Sequence, residues 1–299
     1  MRPQNLPSLD FPVYAEEIIQ SKHTCHRRRL RYEKLSVEAR VQTFVPTLKS
    51  LLPLQKLKWK KLTSSAFKAG YDSPTKALGR LKDSILKDLQ AQCSVNIERC
   101  PYCMIQPPST WDHYFPQAHY PEFSFYHGNL VYVCSDCNRQ KRDHHSESQL
   151  EFLHPYFYGD PSSVILFCRA LITNGKLGFR YYSASLDPKL VSIAAVGQRH
   201  LVNLKLETDF QIESASIVGD FIATVKEDFP LGISREGLGR LTKKNFEMVE
   251  ISLGPNAWEA RLWHALASLP DFHEYVNTQL PRLPSRHREG IDQPAPPPP

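Results

Sequence analysis

The chain has 299 residues, 41% of them hydrophobic and 23% charged, enough for one large unit or two to three modest ones. That balance is ordinary for a globular protein, and no apolar run approaches the ~18 residues of a membrane span. The formal charge of +6 is uneven, with 19 Lys/Arg against 9 Asp/Glu in residues 1–99 and 18 against 22 in residues 100–299, so the N-terminal third is the part suited to a polyanion.

In chain order, the opening MRPQNLPSLDFPVY is rich in proline and has no apolar core of a secretory signal, so a cytoplasmic location is expected. Residues 15–34 read as a helix whose strongest positive cluster is Arg27, Arg28, Arg29 and Arg31, the first surface expected to bind nucleic acid. Ser36 is placed to cap a second helix that Pro46 limits or kinks, with Leu48, Leu51 and Leu52 continuing after it. Around Trp59 the segment QKLKWKKL reads as an amphipathic surface stretch anchored by the indole, ahead of a role for the indole in stacking on bases. Ser73-Pro74 starts the clearest helix, running to about Gln92. Leu78, Leu81, Ile85 and Leu89 form its core face, while Lys76, Arg80, Lys82 and Lys87 lie off it.

The chemistry concentrates between Cys100 and Lys141. Two CxxC pairs, Cys100/Cys103 and Cys134/Cys137, have the type and spacing of a tetrahedral four-sulfur Zn2+ site. Sulfur fills every coordination position in such a site, so its role is structural. Between the pairs, 111–114 reads as the end of a short strand and Leu130–Val133 as its return. A helix is expected from Asn138 through the NRQKRDHHSESQLEF run. Asp112 and His113 then point to opposite faces of an extended strand.

These residues resemble the zinc-containing subset of the HNH (His-Me finger) endonucleases: CxxC, Asp112-His113 with Pro116 three positions on, Asn129 before the return strand, then CxxC followed by Asn138 and Lys141. The resemblance covers about residues 100–145 and implies a ββα-metal unit with assigned roles. His113 would be the general base and Asn129 would tie the loop and help orient it. Asp112 and Asn138 would hold a catalytic Mg2+ or Mn2+, and Lys141 would meet a phosphate. Asn138 stands where the family name promises a histidine, as in its many HNN members.

Flanking stretches YPEFSFYHGNL and FLHPYFY are similar to HNH subunits of bacterial antiphage defence systems paired with an ABC-type ATPase, which implies such a partner protein. Beyond the motif, two β-rich runs around Asn174-Gly175 read as a hairpin, and helices are expected from Pro188 onward. The expected fold class is α+β. The basic helical region is 1–99, the zinc-stapled core 100–158, a hairpin and helical region with a docking surface 159–280, and a disordered proline-rich tail 281–299. The leading expectation is a metal-dependent endonuclease on nucleic acid, DNA ahead of RNA. The alternative is a zinc-ribbon nucleic-acid-binding or assembly module without catalysis.

Overall fold

The computed structural model describes residues 3–92, 99–157 and 162–279. The proline-rich tail lies outside them. Among the described residues the architecture is mixed α+β and mostly helical, with two separate two-stranded antiparallel sheets. No described helix is long and apolar enough to cross a membrane.

Four helices precede the cysteine region. Helix α1 (Phe11–Gln20) buries Phe11, Ala15, Ile18 and Ile19, the spacing of one helical face. Helix α2 (Thr24–Lys49) buries Leu30, Val37, Phe44 and Leu48. Here the structure departs from the sequence reading twice. The chain breaks at Ser21 to His23, where Ser21 Oγ donates to the Ile18 carbonyl at 2.7 Å. It does not break at Ser36, because Leu30, Val37 and Phe44 keep one stripe in the core across that position and Ser36 stays on the exposed side. Pro46 sits in the last turn.

Helix α3 (Lys61–Asp72) packs on α2 and helix α4 (Lys76–Ala91) packs on α1. Thr75, not Ser73, caps α4: its side chain accepts from the Leu78 N–H, and Leu78, Leu81, Ile85 and Leu89 are buried as their spacing predicts. Gly70 of α3 lies against the Phe125 ring, where a Cβ would overlap it. Trp59 is an anchor: its Nε1 donates to Glu122 at 2.9 Å and its ring packs edge-on against Phe67.

Strands β1 (Thr110–His113) and β2 (Leu130–Val133) pair antiparallel, Asp112 opposite Val131 and His113 opposite Leu130, and helix α5 (Ser135–Lys141) follows β2 and packs on β1. The expected longer helix stops at Lys141, since Arg142 adopts φ 46°. His145 therefore leaves the helix and stacks on His119 with ring centroids 4.0 Å apart.

Phe44 of α2 meets Phe115, Phe123 and Tyr126 of the β1–β2 connection edge-on at 5.0 to 5.5 Å, so the basic helices and the cysteine region share one aromatic core. Glu122, fully buried, is held there by Arg40 at 3.2 Å and by Trp59. The second sheet is the expected hairpin, β3 (Leu166–Thr173) and β4 (Lys176–Ser183), turning at Asn174 (φ 52°) and Gly175 (φ 71°), the left-handed pair a two-residue turn requires. Helices α6 (Val191–Asn203), α7 (Leu206–Asp228), α8 (Arg235–Leu253), α9 (Trp258–Ala267) and α10 (Phe272–Gln279) complete the C-terminal part. His200 of α6 joins it to the cysteine region: Nδ1 accepts from the Leu153 N–H, and Nε2 donates to the Tyr102 carbonyl.

Candidate functional site

Cys100, Cys103, Cys134 and Cys137 are all buried, and their sulfurs lie within 4.8 Å of one another. A tetrahedral ion with metal–sulfur bonds near 2.3 Å sets sulfurs about 3.8 Å apart, and Cys103 and Cys134 already stand at 3.8 Å. The loops are shaped for thiolates. The Ile105 N–H points at Cys103 Sγ and the Cys137 N–H at Cys134 Sγ, each at 3.4 Å, and Met104 takes φ 61° to close the first knuckle. Burial pushes the Cys100 thiol up while hydrogen bonds from neighbouring thiols hold Cys103 down, so the four cannot ionise together without a cation. The donor set fits one zinc ion, which would tie the 100–103 knuckle to the junction of β2 and α5.

Strand alternation separates the Asp-His pair. Asp112 faces inward, 3% exposed, with both oxygens engaged: Oδ2 accepts from the Tyr102 hydroxyl at 2.8 Å and Oδ1 from Lys141 Nζ at 3.0 Å. Lys141 is 0% exposed and also donates to the His113 carbonyl at 2.7 Å. This corrects the expected phosphate contact, since a wholly buried ammonium spent on Asp112 cannot reach a substrate. The same pair bears on Asp112 as a ligand for a divalent ion. A hard cation needs carboxylate oxygen it can reach, and here the group is buried with the Lys141 ammonium already neutralising it. Asn138, one turn before Lys141, donates through Nδ2 to Thr110 Oγ1 at 2.7 Å and the Trp111 carbonyl at 3.3 Å, bracing α5 on β1.

His113 lies on the opposite, partly open face. Its Nε2 stands 2.8 Å from the Ser124 carbonyl. A carbonyl only accepts, so Nε2 carries the proton and Nδ1 keeps its lone pair. Burial lowers the imidazole pKa to about 4, against smaller opposing effects from the Ser124 carbonyl and Asp112, which keeps the ring neutral at pH 7. Asn129 sets the carbonyl that holds it: Oδ1 accepts from the Phe115 N–H at 2.7 Å, and Nδ2 donates to the carbonyls of Phe115 and of Phe123, the residue before Ser124.

Sequence reasoning did not single out three neighbours of this face, Tyr71, Lys82 and Trp111, or the Tyr102 that holds Asp112 on the opposite one. Tyr71, at the end of α3, sets its ring edge-on to His113 with centroids 4.4 Å apart. Lys82 of α4 lies over Tyr71, Trp111 shares the His113 side of β1, and Tyr102 holds Asp112 from between the first two cysteines. Only Lys82 carried a sequence signal, its position off the core face of α4.

The arginine cluster is divided. Arg27 donates twice to the Lys22 carbonyl and closes the α1–α2 corner, and Arg31 stands 3.7 Å from Glu16. Arg28 is exposed, and neither it nor Arg29 is paired among the described residues.

Over 66 residues the chain is 39% identical to Protein ea31 of Escherichia phage lambda, a match covering 21% of this chain and 22% of that protein. The chain thus spans about a fifth of the length of the curated relative it matches. No family model and no solved structure matches it.

Proposed function

We propose that the chain is an endonuclease hydrolysing phosphodiester bonds in nucleic acid, DNA ahead of RNA, with His113 as general base in a zinc-stapled HNH unit. The observation that carries this reading is the His113 imidazole. It is neutral, its Nε2 proton is committed to the Ser124 carbonyl, and Nδ1 remains free to take a proton from an attacking water. A phosphate anion arriving beside the ring raises its proton affinity toward the range useful at neutral pH. Asn129 orients the base through the loop it ties, and Arg28 and Arg29 offer charge to the backbone at a distance from the reacting atoms.

A divalent ion belongs to the resemblance. Because Asp112 is occupied by Lys141 and Tyr102, the Asp112–Asn138 pair does not fit one as it stands, and no step of the proposed reaction runs through it. Sequence preference is expected to be weak, and an ABC-type ATPase partner belongs to the proposal as the regulator of access.

The same Asp112–Lys141 pair favours a second reading, a zinc-ribbon nucleic-acid-binding or assembly module without catalysis. Nicking of supercoiled plasmid in buffer containing Mg2+, by the purified chain and by the chain co-purified with its partners, separates the two. Cutting by wild type in either preparation supports the nuclease. Salt-sensitive binding without cutting in both supports the module.

A further inference from the structure

We infer that Lys82, Tyr71 and Trp111 form a phosphate subsite beside His113, in which the Lys82 ammonium binds a non-bridging oxygen of the phosphodiester that His113 addresses. The inference rests on the proposed nuclease reading for the role of His113, but its geometry is independent of it.

Lys82 projects from α4 to within 4.1 Å of the Tyr71 ring centroid and 5.9 Å of the Trp111 centroid. Among the described residues it has neither a carboxylate nor a hydrogen-bond acceptor. Only aromatic faces hold it, and an ammonium bound that way keeps its donors available for an anion. Four other cations of the surrounding elements are committed: Lys141 to Asp112, Lys22 to the Ser73 carbonyl, Arg40 to Glu122, and Arg80 to Glu17. Half-burial alone depresses the Lys82 pKa, with no acid acting to restore it, and a phosphate oxygen would supply the missing charge.

Tyr71 links the two functional groups, its ring touched by Lys82 on one side and by His113, at 4.4 Å, on another. Both groups thus border one ring, so a single phosphate there can meet the ammonium through a non-bridging oxygen while the imidazole takes the water opposite the leaving oxygen. Trp111 stands next to Tyr132 across the sheet, both partly exposed, and gives the strand an apolar shelf at the same place. The N-terminal helices thus supply a functional group to the cysteine region as well as packing.

Two measurements on the whole 299-residue chain test this. In the His113→Ala background, binding to a fluorescent 30-base-pair duplex is followed against salt. Adding Lys82→Met should reduce the slope of log affinity against log salt by about 0.9, the release expected for one phosphate contact, and Lys82→Arg should retain it. With His113 intact, Lys82→Met should lower kcat about 10²-fold, the scale of one lost oxyanion donor, and Lys82→Arg should recover part of it. Thermal melts verify that each variant is folded. A folded Lys82→Met protein with an unchanged salt slope overturns the subsite, whether or not wild type cuts. A reduced slope with no cutting by wild type, either alone or co-purified with its partners, supports the subsite and removes the nuclease reading.

Discussion

Lys141 Nζ lies 3.0 Å from Asp112 Oδ1, and the two side chains are 0% and 3% exposed. A buried ion pair of this kind contributes little net stability against an apolar substitute, but breaking it strands a charge at a cost of about 3–5 kcal/mol. Lys141→Met should therefore destabilise by about that amount in urea unfolding, while Asp112→Leu combined with Lys141→Met recovers most of the loss. If Lys141 instead served a phosphate, the single variant would keep its stability and weaken nucleic-acid binding.

The cysteine quartet should bind one zinc per chain, read by elemental analysis of the purified protein. Cys100→Ser or Cys137→Ser should lose the metal and unfold the 100–141 region, since structural zinc contributes folding free energy directly. A soluble Cys137→Ser protein with wild-type melting and no zinc would contradict the staple.

Asn129 satisfies three backbone groups of the loop that presents Ser124 to His113. Asn129→Ala leaves the Phe115 N–H and carbonyl buried and unpaired, at about 1–3 kcal/mol for each that finds no water, while the Phe123 carbonyl keeps the Tyr126 N–H at 3.2 Å. The melting temperature should fall, and cutting should fall further than the loss of folded protein explains. Equal losses in both would make Asn129 structural only.

His154 predicts an acid limit. Its Nδ1 accepts from the Tyr156 N–H at 3.2 Å and its Nε2 donates to the Gly128 carbonyl at 3.0 Å, so the fold requires the neutral ring, and burial lowers its pKa to about 3. The folded value lies below the unfolded value of about 6.5. Its contribution is therefore complete above pH 6.5 and is lost progressively as pH falls toward 3. His127, lowered to about 4 by burial, acts in the same direction. Urea unfolding of His154→Gln should show a shallower loss between pH 7 and 4.5 than wild type. Parallel slopes would remove His154 from the account.

Local rules carried the sequence reading some distance. CxxC spacing located the four sulfurs, alternation put Asp112 and His113 on opposite faces, and Asn174-Gly175 marked the hairpin. The fate of Lys141 was not legible. Asn138 and Lys141 are one turn apart on α5, and whether such a residue meets substrate or a buried aspartate depends on how the helix sits over β1, which residue type does not specify. Ser36 misled because its capping preference yields to a hydrophobic stripe that continues on both sides. Lys82 joined the site through tertiary packing alone, from a helix read as a basic surface.

The central claim is that His113 takes the proton from the attacking water. Its most direct test is the cleavage rate of folded, zinc-loaded His113→Ala against wild type on the same plasmid and with the same partners present. A general base contributes about 10²- to 10⁴-fold, so the variant should cut at least about 10² times more slowly with unchanged melting temperature and zinc content. Cutting by that variant at the wild-type rate would contradict the assignment.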